Sequence, residues 1–496
     1  MRWIFGLLLT AGCVAAAALV VVLSRDGGSD DAPTVPRDVP TVASTMPGAP
    51  MPGRVLVGFQ DDVSLRWAED RAEMLDEARE AGAAVVRTIV EWRAVARKRP
   101  SEPANPFDPA YRLDDVDDLA RSAQARGMEL LLSIWGTPPW ANGGAGPNRA
   151  PLELGDLEDF AHALAARYSG RHAGYPAVRL FSAWNEPNLE QFLAPQFDRS
   201  GQSVSPGIYA GLARAVYAGV KQANAEALVA IGETSPRGHD RPGGADFQDS
   251  HSPARFARLL ADEADVRFDA WAHHPYPARA EVAPSAPVRW PRVGMANLER
   301  FGESLDEWFH LNGVPLWVTE YGHETEPDVV GVPPDVQARF LEEALALAAA
   351  SDRVRVFVWF ILRDAEGEPW ESGLIATDGS AKPALERFAS TVPKLDGRNP
   401  VVSADTASLR LPVLDLAFHS PAGARIDVEI DGGRPVVATL RSDGWIDVSV
   451  PVGAPDAFEV RARDVHGNEV VRLVELDPRD GASSDILGAP GGSGAG

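Results

Sequence analysis

Two glutamates stand where apolar runs of the chain stop. The first closes Val178-Arg179-Leu180-Phe181-Ser182-Ala183, a largely apolar stretch that ends at Trp184-Asn185-Glu186-Pro187. A short run with little alternation is how a strand buried on both faces of a parallel sheet reads. Proline has no N–H to give to a ladder, so pairing should stop there and leave Asn185 and Glu186 at the strand's C-terminal tip. The second, Glu320, closes Val314-Pro315-Leu316-Trp317-Val318-Thr319 in the same way. Alone, Asn-Glu-Pro is also an ordinary turn, and Glu320 an ordinary loop carboxylate. Together, two carboxylates facing one mouth can cleave a glycosidic bond. One gives a proton to the leaving oxygen; the other meets the developing cation as nucleophile or as base for water.

Other strand tips carry supporting chemistry. Arg87 lies inside the apolar run Ala83–Val90. A buried guanidinium needs a carboxylate, and Glu320 is the expected partner, with Glu91 as the structural alternative. His273-His274-Pro275-Tyr276 ends a further run, and the imidazole and phenol there are placed to hold Glu320 or sugar hydroxyls. Trp135, Trp140, Trp184, Trp359 and Trp370 fall at strand ends or in the loops after them. Indole faces with polar rims suit pyranose stacking, although an aromatic is more often core, and Trp359 is the foremost candidate platform. No His/Asp/Glu set has a recognised metal-ligand spacing, so neither a metal nor a cofactor is expected.

Positioning these side chains takes a regular scaffold. From about residue 53 to 392, eight apolar runs alternate with eight helical patterns. Strict alternation implies a parallel sheet, and eight units imply a closed α/β barrel, a (β/α)8 TIM barrel. The strands are expected at 54–59, 83–90, 129–135, from 178, 227–232, 268–273, 314–319 and 354–361, with helices such as 64–81 between them. No Gly-x-Gly-x-x-Gly follows the first strand, which argues against a dinucleotide fold.

The ends of the chain read differently. Trp3 to Leu23 is an uncharged apolar run long enough to span a bilayer, with Arg2 before it and Asp26, Asp30 and Asp31 after it. Residues 1–24 are therefore expected to be an uncleaved membrane anchor, with a cleaved signal peptide or lipidation of Cys13 as alternatives; all three export the body. The proline-rich segment 25–52 reads as a spacer. Residues 398–478 alternate over short runs and predict a small antiparallel β-sandwich, which is expected to be a structural prop, followed by a Gly/Ser/Ala-rich tail at 479–496. A net charge of −24 makes nucleic acid an unsuitable partner. A carbohydrate substrate, membrane contact through the N-terminal helix only, and a monomer are expected.

The motifs Trp184-Asn-Glu-Pro187, Thr319-Glu-Tyr321, His274-Pro-Tyr276 and Trp359-Phe360 resemble the retaining glycoside hydrolases of clan A, over roughly residues 54–390. The Gly136-Thr-Pro-Pro-Trp140 loop and Asn185-Glu-Pro-Asn188 look closest to the xylosidase/iduronidase family, with the cellulase-like family second. The resemblance implies that Glu186 is the acid/base, Glu320 the nucleophile and Asn185 the ligand of the substrate 2-hydroxyl. It does not extend to the identity of the sugar. A transglycosylase using the same glutamates, or a non-catalytic carbohydrate-binding or wall-scaffold protein on the same barrel, are the alternative functions.

Overall fold

A computed structural model of the chain describes residues 55–395, apart from 245–246, 327–329 and 369, and further on the backbone of seven strands. The expected anchor or signal (1–24), spacer (25–52) and tail (479–496) lie outside the described residues.

Eight parallel strands close into a barrel in sequential order. They are Leu56–Gln60 (β1), Val85–Glu91 (β2), Glu129–Trp135 (β3), Leu180–Ala183 (β4), Leu228–Thr234 (β5), Ala270–His273 (β6), Leu316–Tyr321 (β7) and Val354–Phe360 (β8). The seam is made by β1 against β8, with Phe59 opposite Trp359. After each strand comes a helix, among them Leu154–Arg167 after β3 and Ser205–Ala223 after β4. Pro206, Pro253 and Pro334 stand in the first turns of their helices, where a missing N–H costs nothing. The helices after β3 and β4 approach closely because Gly219 faces a carbonyl: a Cβ there would stand 2.2 Å from Glu158 O.

The helix expected over 64–81 is broken. A π-turn covers Val63–Trp67 and the helix proper runs Arg71–Glu80. Asp61 explains the break. One of its oxygens accepts the Ser64 N–H at 2.9 Å, and the other accepts the Arg363 N–H, beyond β8, at 3.0 Å. The tip of β1 is thereby tied across the seam before the chain can settle into a helix.

Side-chain alternation sorts the core into two shells. Leu56, Val85, Leu131, Ala230, Trp317 and Val358 fill the barrel interior. Val57, Val86, Leu132, Ile231, Phe357 and Trp359 face the helices. Each strand is buried on both sides, which is why its sequence reads as a run rather than an alternation.

The C-terminal strands are Val401–Ala404 (β9), Val413–His419 (β10), Arg425–Ile430 (β11), Val436–Thr439 (β12), Trp445–Pro451 (β13), Ala457–Asp464 (β14) and Glu469–Glu475 (β15). They form two antiparallel sheets, in the orders β13-β10-β9 and β12-β11-β14-β15.

Candidate active site

Above the apolar filling of the barrel lies a polar layer. Strand alternation alone delivers Arg87, two residues beyond inward-facing Val85. Two other members need an irregularity. On β7, Val318 pairs with Phe357 and Tyr321 with Trp359, so two residues on β7 oppose one on β8. The extra residue lets both Thr319 and Glu320 turn toward the mouth. On β5, Ile231 pairs with Trp271 and Thr234 with His273, again two residues against one. That bulge turns Glu233 inward, to a position where a regular strand would face it toward the helices. Trp184, Glu186 and Glu233 all take positive φ, of 75°, 37° and 44°. For residues with side chains this costs about 1–3 kcal/mol each and clusters where function fixes the backbone.

Arg87 is fully buried and gives its hydrogen bonds to several elements at once. Nη1 reaches Glu320 Oε1 at 2.7 Å, and Nη2 reaches Glu233 Oε2 at 3.1 Å and Asn185 Oδ1 at 3.2 Å. Nε donates to Ser133 Oγ, and Gln60 accepts from Nη1 as well. His274 is also fully buried. Its Nδ1 lies 3.0 Å from Glu186 Oε1 and 3.6 Å from Glu320 Oε2, and its Nε2 lies 2.8 Å from Glu233 Oε2. Tyr276 donates to Glu320 Oε2 at 3.2 Å. Because one nitrogen reaches both glutamates, the nearest oxygens of Glu186 and Glu320 are separated by no more than about 6.6 Å.

Electrostatics set these groups apart. Burial lifts the Glu186 carboxyl above its ordinary value; the bond from His274 opposes that, and the charge of Glu320 adds to it. Burial would also lift Glu233, but Arg87 and His274 outweigh it and hold the carboxyl at about 2. For His274 burial disfavours the cation, yet Glu320, Glu186 and Glu233 around it raise the imidazole to about 10. It is therefore an imidazolium at neutral pH.

The structure brings Glu186, Glu320, Asn185, Arg87, His274 and Tyr276 together at one mouth. Arg87 bonds Glu320 as expected, while Glu91 takes Arg93 instead. Arg87 and His274 are both wholly buried, and their polar atoms meet the surrounding carboxylates rather than the open mouth. One expectation needs correction. Trp359 offers no platform: β8 alternation points it at the helices, it is fully buried, and its indole N–H donates to Ser372 O. The neighbouring Phe360 points the other way and meets Trp370 edge-on at 5.7 Å. Trp370 stacks on Tyr276 at 5.9 Å, and both rings are half-buried. Trp184 is buried and Trp135 nearly so, with both indoles directed at Phe192 O. Trp140 is covered by the Arg99 guanidinium.

Glu233 escaped the sequence analysis because β5 was expected to end at Gly232, whereas it continues through Thr234. The signal was present: Glu233 follows an apolar run, as Glu186 and Glu320 do. Among the described residues, no group of three or more His, Cys, Asp and Glu is arranged to hold a metal ion. Nor is any helix among them long and apolar enough to cross a membrane.

Comparison with known proteins gives this geometry a family. Residues 54–360 match the model of the cellulase family, glycosyl hydrolase family 5. No curated protein matches the sequence. Among solved structures, a glucosidase from Croceicoccus marinus superposes with a TM-score of 0.52 at 13% identity, covering 87% of this chain and 98% of that one. A family 39 glycoside hydrolase from Bacteroides cellulosilyticus gives 0.49 at 18% identity, covering 80% of each chain. Xylanase 10B from Thermotoga maritima gives 0.46 at 13% identity, covering 69% and 96%. At such identities the glucosidase likeness speaks to the fold alone, and the family match carries the assignment. Within clan A that match falls on the cellulase-like family rather than on the xylosidase/iduronidase family. The chain is a glycoside hydrolase, and it belongs to the cellulase family, glycosyl hydrolase family 5.

Proposed function

We propose that the chain cleaves O-glycosidic bonds of a polysaccharide or oligosaccharide with retention of configuration, by double displacement, with Glu186 as acid/base and Glu320 as nucleophile. The observation that carries this reading is the single imidazole nitrogen of His274 within reach of both carboxylates. The resulting limit on their separation accommodates the spacing of about 5–5.5 Å found in retaining pairs. Arg87 and Tyr276 bond Glu320 and aim it at the anomeric carbon. Glu186, with its raised carboxyl, gives its proton to the leaving oxygen and then takes one from water. Arg87 holds the amide oxygen of Asn185, which leaves the NH2 group to donate to the sugar 2-hydroxyl.

Proton NMR of the first-formed product on an aryl glycoside tests the stereochemistry. The product should keep the anomeric configuration of the substrate, and an inverted anomer rules the mechanism out. Glu320→Gly should lose turnover and regain it with azide or a glycosyl fluoride of opposite configuration.

Residues 2–31 support export and a membrane tether at the cell surface. The two C-terminal sheets fit a sandwich that props the barrel. Deletion of 398–478 should leave polysaccharide retention intact; its loss with the barrel still folded would assign binding to the sandwich.

A further inference from the structure

We propose that Glu233, which the reaction above does not use, is a positioning residue: the fixed anion that holds Arg87 and His274 as cations beneath the pair and so leaves Glu186 as the carboxyl that carries the proton. This rests on the reading of Glu186 as the acid.

The geometry is that of a hub. Glu233 is fully buried, yet its Oε2 takes Arg87 Nη2 from β2 at 3.1 Å, Thr319 Oγ1 from β7 at 3.0 Å and His274 Nε2 from the end of β6 at 2.8 Å. Its other oxygen lies 3.5 Å from Ser133 Oγ on β3. The Glu186 N–H donates to the Glu233 backbone carbonyl at 2.9 Å, so the two glutamates are also tied through the main chain. A bulge and a positive φ are spent to aim this side chain inward.

Charge balance then decides where the proton sits. The cluster holds two bases, Arg87 and His274, and three carboxyls, Glu186, Glu233 and Glu320. Uncompensated charge held away from water is costly, which favours a cluster whose charges cancel. Two cations balance two carboxylates, so one carboxyl stays protonated. Arg87 goes to Glu233 and Glu320, and Glu186 is left with the imidazole and Ser235. The other titratable groups facing Glu233 do not absorb the difference. Tyr209, whose hydroxyl accepts from Gly232 N, is kept neutral by burial, and so is His273 on the outward face of β6. Tyr276 is committed to Glu320. Without Glu233 the cations would have one anion, and the balance would be met by a proton leaving Glu186 or His274.

Glu233→Gln keeps the shape and removes the charge. With one fixed anion gone, each proton in the cluster comes off at lower pH. The alkaline limb of kcat/KM should move down by about one pH unit or more, with kcat falling further than KM rises. Glu233→Asp keeps the charge but not the reach: its limb should stay with the wild type while kcat drops. A limb unmoved in Glu233→Gln, with only the rate lowered, would reduce Glu233 to a structural prop. Neutron diffraction of the wild-type protein at neutral pH decides the matter even if the variant does not fold. Deuterons are expected on both His274 nitrogens and on Glu186, and a neutral His274 or a deuterated Glu233 overturns the proposal. Glu186→Gln separates the two levels. If it keeps turnover and limb, the mechanism itself has failed; if it loses turnover while Glu233→Gln leaves the limb in place, the failure is confined to Glu233.

Discussion

Replacing Arg87 by methionine keeps an unbranched apolar stem and removes the guanidinium with its charge. In the wild type the guanidinium is wholly buried and bonds two carboxylates, Glu233 at 3.1 Å and Glu320 at 2.7 Å. Glu233 is held at about 2 against an ordinary 4.5, with Arg87 the largest favourable contributor. A shift of that size is worth on the order of 3 kcal/mol, which agrees with the roughly 3–5 kcal/mol expected for breaking a buried pair from one side. The sign follows from the direction. The folded value lies below the unfolded one, so this stability is fully present above about pH 4.5 and is lost as pH falls through about 2. The deficit of the variant should therefore be near 3 kcal/mol at neutral pH and shrink steadily below pH 4.5. For a barrel of roughly 340 residues, 3 kcal/mol is about 4 °C in Tm. Urea unfolding followed by tryptophan fluorescence at pH 7, 5 and 3.5 measures it. A deficit that is independent of pH, or below about 1 kcal/mol at pH 7, would refute the coupling between Arg87 and Glu233.

Trp359→Ala should cost about 3–5 kcal/mol of stability through the cavity it leaves, and should reveal itself in Tm rather than in KM. Trp370→Ala should do the reverse, raising KM about tenfold with Tm nearly unchanged, since its ring is half-buried beside Tyr276 and Phe360. Asp61 is buried and lifted to about 6, so its contribution is full below about 3.8 and is lost as pH rises through 6, on the order of 3 kcal/mol. Asp61→Asn removes that titration. Against the wild type, the variant should gain in Tm between pH 4 and 6, and parallel curves would refute the assignment.

The barrel was legible because each of its strands is buried on both faces and so reads as a run, with turn residues and helical spacing between runs. Glu186 and Glu320 were legible because proline and the end of an apolar run mark a strand tip. Two things were hidden by phase. Trp359 and Phe360 are adjacent letters, and only alternation from a fixed inward residue such as Val358 tells that the larger ring faces the helices. Glu233 was hidden by a bulge, which changes the phase locally and leaves no mark in composition except a glycine that looks like a stop. His274 read as a sugar or carboxylate ligand because its tip position is visible in sequence, whereas the three acids that surround it come from β4, β5 and β7.

The extra residue in β5 also governs how relatives should be compared. Gly232 sits at φ 97°, and a Cβ there would stand 2.5 Å from the Trp271 ring, so the insertion is anchored at a glycine. A related barrel without that insertion would place the equivalent anion one letter earlier, where Gly232 stands here, and a letter-by-letter alignment would score the two carboxylates as unrelated. Equivalence at this tip has to be counted in turns of the backbone from the last regular pair, Ile231 with Trp271, and not in columns. The same holds at β7, where the count restarts after Val318 and Phe357. Deleting one residue from either tip would thus be a graver change than substituting several, because it rotates every later side chain to the opposite wall.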